Sequence, residues 1–252
     1  MKKIITLVLA MAMLFAFAGC QSATNEPAGE KIVFGTNAEF PPFEFVTANG
    51  VLGEYDGIDM AIVKQIGEDI GAEIVIENME FDSLIMALAN GQIDASISGM
   101  TITEERKETV DFSIPYYKAT QVMIVKEDSD IAKAADMEGK KIVAIQGYTG
   151  EICVQEMGYE YEAFKKGTEA VMELANGKCD VVVIDSATAE SYIKDTEGLK
   201  IVEDAEAFPV EEYGIAVKKG NTELLNKINA SIEKMLEEGK IADWSVQYSE
   251  AE

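Results

Sequence analysis

Apolar and polar positions fall into two rhythms that take turns along the chain. Short apolar or period-two runs occur at 31–37 ("KIVFGTN"), 72–79 ("AEIVIENM"), 94–100 ("DASISGM"), 141–146 ("KIVAIQ") and 180–185 ("DVVVID"), and each reads as a strand. Between them lie helical patterns. The segment 57–71 places Ile62, Ile66 and Ile70 four apart, with Asp59 as a helix cap and Gly71 as the stop. Segments 81–91 and 168–177 are helical too, the first capped by Asp82 or Ser83 and ended by Gly91, and a short helix starts near Glu151. This alternation predicts an α/β fold of parallel strand–helix–strand units.

The units form two series, and "LANGQID" (88–94) returns as "LANGKCD" (174–180). Each copy ends a helix with Asn-Gly and launches a strand. The chain therefore reads as two lobes, residues 31–117 plus 214–252 and residues 118–213. Segments 116–120 and 211–214 are the expected hinges. In open parallel sheets ligands lie beyond the carboxyl ends of strands, so the two corners predict two jaws around one site. The tail, 221–244, puts Leu224, Leu225, Ile228, Ile232, Met235 and Leu236 on one helical stripe that requires a host lobe.

Charge and composition narrow the function. The chain has 21 Lys plus Arg against 46 Asp plus Glu, which argues against nucleic acid as a partner. It has no histidine, which removes histidine triads and His-bearing zinc sites, and no cysteine pair has metal-site spacing. No metal or cofactor is expected. Lys2 and Lys3 precede an apolar run, 4–17, of signal-peptide length. "FAGC" (17–20) resembles a bacterial lipobox, with Phe17 departing from the usual Leu. Residues 1–19 are thus the expected leader, Cys20 the lipidation site and 21–30 a polar tether to a bacterial membrane face. Cys153 and Cys179 fall at opposite ends of neighbouring elements and are expected as two buried free thiols.

Candidate chemistry clusters after the first repeat. Gly99 permits close backbone approach, Thr101 offers a hydroxyl, and Arg106, the only arginine, carries a planar fork suited to a carboxylate. Taken with "GTNAEFPPFEF", "GIDMAIVKQIGEDIG", "GKKIVAIQGYTGE" and "EEYGIAVKKGN", the run "FDSLIMALANGQIDASISGMTITEERKETVDFSIPYY" resembles the amino-acid-binding proteins of bacterial ATP-driven importers. The resemblance implies a two-lobed periplasmic-binding-protein type II fold, a free amino acid as ligand, a permease and ATPase as partners, and a monomer. It implies that Arg106 clamps the ligand's carboxylate with Gly99, Thr101, Thr149 and Gly150. Asp185 would take the ammonium, Phe40 and Phe81 would sandwich the side chain, and Gln146 would face the side-chain pocket. Relatives binding basic amino acids or glutamine commonly carry Asp where this chain has Asn37, which favours a neutral polar ligand, with Glu39 nearby as the complicating acid. A sensor or adhesin without transport and a dehydratase of the same fold are the rival readings, the latter without an activated nucleophile or metal cluster to support it.

Overall fold

The structure, a computed structural model, describes residues 30–194 and 196–250; the leader, Cys20 and the tether lie outside them. Each half of the strand–helix alternation builds its own five-stranded sheet. The first orders Glu73–Asn78, Lys31–Thr36, Ala95–Ser96, Ala216–Lys218 and Val110–Phe112, with only Ala216–Lys218 antiparallel to its neighbours. The second orders Tyr161–Phe164, Ile142–Ile145, Val181–Asp185, Gln121–Lys126 and Leu199–Val202, and there Gln121–Lys126 is the reversed strand. Two lobes of like design result. Between them Tyr117–Ala119 and Glu211–Tyr213 pair antiparallel, Tyr213 opposite Tyr117, where the hinges were expected.

The repeated corner has a local cause. Asp94 accepts from Val33 N–H at 2.8 Å through its side chain and donates its own N–H to Val33 C=O. Asp180 does the same with Lys141, again at 2.8 Å. In each copy Gly91 or Gly177, at φ +70°, lets the helix end in a left-handed turn. The Asp then fixes the register of the next parallel strand. Two identical clamps thereby aim two strand ends, Ser96 and Asp185, toward the seam between the lobes.

The tail helix Thr222–Glu237 buries Ile228, Ile232 and Met235, and its Ser231 and Lys234 bond Asp69 on the helix Ile58–Ile70 of the first lobe. A second helix, Lys240–Glu250, follows the break at Gly239.

Five expectations change. Neither Asp82 nor Ser83 caps the helix Leu84–Asn90 through its side chain; the Ser83 hydroxyl donates to Asp82 instead. The segment 94–100 keeps only Ala95–Ser96 as strand, because the chain turns at Gly99 to face the other lobe. Leu236 is exposed, on the outer edge of the stripe. Asp59 does not cap its helix; it is fully buried and accepts from Gly99 N–H and Tyr116 O–H instead. Both thiols are free, but only Cys179 is buried and Cys153 is half-exposed. Burial pushes both thiols up to about 11, so neither is a reactive thiolate at neutral pH. The pattern also missed a three-stranded antiparallel sheet, Glu39–Phe40, Glu44–Gly50 and Gly53–Asp56, whose polar residues hide its period.

Ile232→Ala should lower stability by about 2–5 kcal/mol in a urea melt, since a fully buried side chain is removed from a packed seam. A loss under about 0.5 kcal/mol, the size of a surface change, would mean that the tail is not part of the first lobe's core.

Candidate ligand-binding cleft

Arg106 sits in the short helix Glu104–Thr109, which Thr103 caps by accepting its backbone N–H. The side chain turns inward and is buried. Its Nη1 donates to Thr101 C=O at 2.7 Å and its Nη2 to Gly147 C=O, in the second lobe, at 2.8 Å. The guanidinium also lies 5.3 Å over the Phe81 ring. Among the described residues it forms no ion pair. Burial pulls its pKa below the usual range, while the negative charges of Asp185 and Glu211 oppose the shift. A buried cation held only by carbonyls and a ring keeps a charge that an anion can meet.

Asp185 closes the all-buried strand Val181–Asp185. Pairing in register with the neighbouring strand sets Gln121 beside it, and Tyr213 of the crossing strand donates to Oδ1 at 2.5 Å. Burial first, and the nearby Glu211 second, raise its carboxyl to about 7, against the hydrogen bonds from Tyr213 and Gln121.

Arg106 and Asp185 meet through one polar cluster. Thr101 of the first lobe and Thr149 of the second come within 3.4 Å of each other, and both hydroxyls donate to Glu211 Oε2, at 2.9 and 2.7 Å. Gln121 Nε2 donates to both Thr149 Oγ1 and Glu211 Oε2. Sequence reasoning assigned the two hydroxyls to a ligand and missed Glu211, Gln121 and Tyr213. Thr149 and Gly150 begin the helix Thr149–Glu156, so their N–H groups have no intrahelical acceptor, and the Thr149 hydroxyl lies at the seam. At Gly150 a side chain would have no room, because a Cβ would lie 2.9 Å from Val183 C=O. Gly99 is held at φ +50° with Phe40 where a Cβ would be.

The remaining candidates divide. Asn37 is buried; its N–H donates to Ser98, its Nδ2 to Met79 C=O, and its Oδ1 accepts from Tyr148 O–H of the other lobe. Phe40 and Phe81 are both at the seam, each in ring contact with Tyr148. Gln146 is not brought in. It is exposed one residue past the strand Ile142–Ile145, where its N–H closes on Phe164 C=O and its side chain meets solvent. On the rim away from the hinge Lys166 pairs with Glu39 at 2.5 Å, and Tyr192 O–H donates to Glu39 C=O at 2.8 Å, so these contacts also join the lobes.

Beneath the cleft Glu44 and Asp59 form a buried acid pair. Glu44 accepts from Ser98 O–H at 2.6 Å, and Asp59 holds Gly99 and Tyr116. Burial and mutual repulsion raise Glu44 well above the carboxylate range, and burial brings Asp59 up to about 6. Through these bonds the pair positions Ser98 and Gly99, the turn leading to Thr101.

The arrangement suits a small molecule with one anionic and one cationic end. Residues 32–251 match the profile of the bacterial extracellular solute-binding proteins, family 3. An arginine-binding extracellular protein, ArtP, of Bacillus subtilis is 33% identical over 250 residues, covering 96% of this chain and 95% of its own. The glutamine-binding protein GlnH of an ABC transporter in the same organism is 35% identical over 262 residues, with 95% and 94% covered. Among solved structures, an ancestral arginine-binding protein bound to glutamine superposes with a TM-score of 0.80 at 41% identity, covering 86% of this chain and 97% of that one. With a two-lobed architecture, a seam of opposite charges and a family profile spanning nearly every described residue, this chain belongs to the bacterial extracellular solute-binding proteins, family 3.

Proposed function

We propose that this protein captures a free amino acid between its lobes, without turning it over, and delivers it as a monomer to an ATP-driven importer. The observation that carries the reading is the convergence of Arg106 and Asp185, from opposite lobes, on one buried cluster. A zwitterion's carboxylate would meet the guanidinium and the free N–H groups of Thr149 and Gly150. Its ammonium would meet Asp185, with Glu211 adding charge on the same side. Closure then removes both charged ends from water, which is favourable only where each finds its partner. Because the ligand touches both lobes, it shifts the hinge toward the closed state. The leader and Cys20 motif support display of the receptor outside the cytoplasm, anchored to a bacterial membrane by lipid.

Relatives named for arginine, histidine and glutamine support amino acids as the ligand class. For this chain we favour a neutral polar side chain. Asn37 carries a neutral amide whose groups are already engaged, and Glu39, the nearby acid, is held by Lys166. A ligand's cationic side chain would have to compete with Lys166 for Glu39.

Thermal-shift screening against the twenty common amino acids, ornithine and cystine tests the proposal. At 100 times its dissociation constant the ligand should add about 2.7 kcal/mol of stability, and Arg106→Ala should abolish that gain. An undiminished shift in Arg106→Ala would refute the carboxylate clamp, and arginine or lysine as the strongest ligand would refute the neutral preference.

Affinity should also depend on pH. Asp185 must be ionised to hold an ammonium, and its carboxyl titrates at about 7 in the free protein, faced by Glu211, Tyr213, Gln121 and Arg106. Binding below that pH requires release of a proton, so affinity should fall as pH drops, by up to about tenfold per unit. Calorimetric titration between pH 5 and 8 reads this directly. In Asp185→Asn the slope should flatten on an already weak affinity, and an unchanged slope would show that another group titrates.

A further inference from the structure

We infer that Tyr148 sets an upper limit on ligand size, restricting the captured amino acid to a short side chain of about alanine or serine bulk. The inference rests on the amino-acid reading above and deepens it. Tyr148 comes from the second lobe, immediately ahead of the helix Thr149–Glu156, and is buried between residues of the first. Its ring meets Phe81 at 4.6 Å between centroids, inclined 65°, and Phe40 at 5.2 Å, inclined 89°. Those are direct ring contacts. A ligand group clasped between two rings needs about 3.5–4.0 Å to each, and so a spacing of about 7–8 Å across it. Tyr148, touching both phenylalanines, therefore occupies the position beside each ring that a clasped group would need.

Each ring has another partner besides Tyr148: Phe81 carries the Arg106 guanidinium and Phe40 stacks on Phe43 at 5.5 Å. Tyr148 is also tied in place. Its N–H donates to Ile145 C=O at 3.0 Å and its hydroxyl to Asn37 Oδ1 at 3.3 Å. A long side chain entering along the Phe40–Phe81 direction would have to expel this ring into water and break the Asn37 contact. A short one leaves both intact. The charged ends of either ligand would make the same contacts, so Tyr148 discriminates by length.

The test is calorimetric titration of the purified protein and of Tyr148→Ala with serine, alanine, threonine, glutamine, arginine and phenylalanine. Wild type should bind the best of the short amino acids at least tenfold more tightly than any of the long ones. Tyr148→Ala should reverse or level that order by gaining at least tenfold for glutamine or phenylalanine. A wild type that binds glutamine or arginine as tightly as serine, or a folded Tyr148→Ala with the wild-type order, overturns the assignment. Where circular dichroism shows that Tyr148→Ala does not fold, the wild-type order alone decides. If no amino acid binds either protein, the amino-acid reading falls and this inference with it, whereas binding with the wrong size order removes only the role given to Tyr148.

Discussion

The whole arrangement turns on a buried guanidinium whose direct contacts are neutral. Arg106 is stripped of water and supported by two carbonyls and a ring, with no carboxylate against it among the described residues. Burying a charge this way is costly unless a counter-charge arrives. The nearest acids, Asp185 and Glu211, act on it through space, and one of them is raised to about 7 by the same burial. The cluster is thus incomplete electrically at both ends. A molecule bearing an anion and a cation at short separation would complete both at once, which gives the lobes a reason to close.

The fold serves this pairing by placing each charge at the end of a locally fixed element. Asp94 and Asp180 clamp the two strand corners with the same pair of backbone bonds, and the strands they launch end at the seam. Thr103 caps the helix that carries Arg106, and the register of Gln121 against Asp185 fixes the acid. Below them the Glu44–Asp59 pair holds Ser98 and Gly99 in position. The crossing strands lie directly behind the site, so Tyr213 touches Asp185 while belonging to the hinge. Geometry at the hinge and geometry at the site are therefore one set of contacts.

Much of this was legible in the sequence, for identifiable reasons. Strand and helix periods give the order of elements. A lone arginine after a Gly-Met-Thr turn and an aspartate ending an all-apolar strand stand out by local chemistry. What was hidden depends on pairing across long separations. Glu211 reaches Thr101 and Thr149 only because a hinge strand folds back between the lobes, and Gln121 matters only through its register with Asp185. Tyr148 reads as a loop residue until the lobes meet. Asp59 misled because the capping rule is local, whereas its actual partners come from the Gly99 turn and the hinge. Gln146 misled because the strand ends one residue earlier, at the solvent edge.

The most direct test of the paired-charge account is calorimetry with the best-binding amino acid beside two analogues, one lacking the ammonium group and one with the carboxylate converted to a methyl ester. If the two lobes each grip one charge, both analogues should lose at least about 100-fold in affinity, the range expected when one member of a buried ion pair is removed. An analogue missing either charge that binds as tightly as the parent would contradict the account.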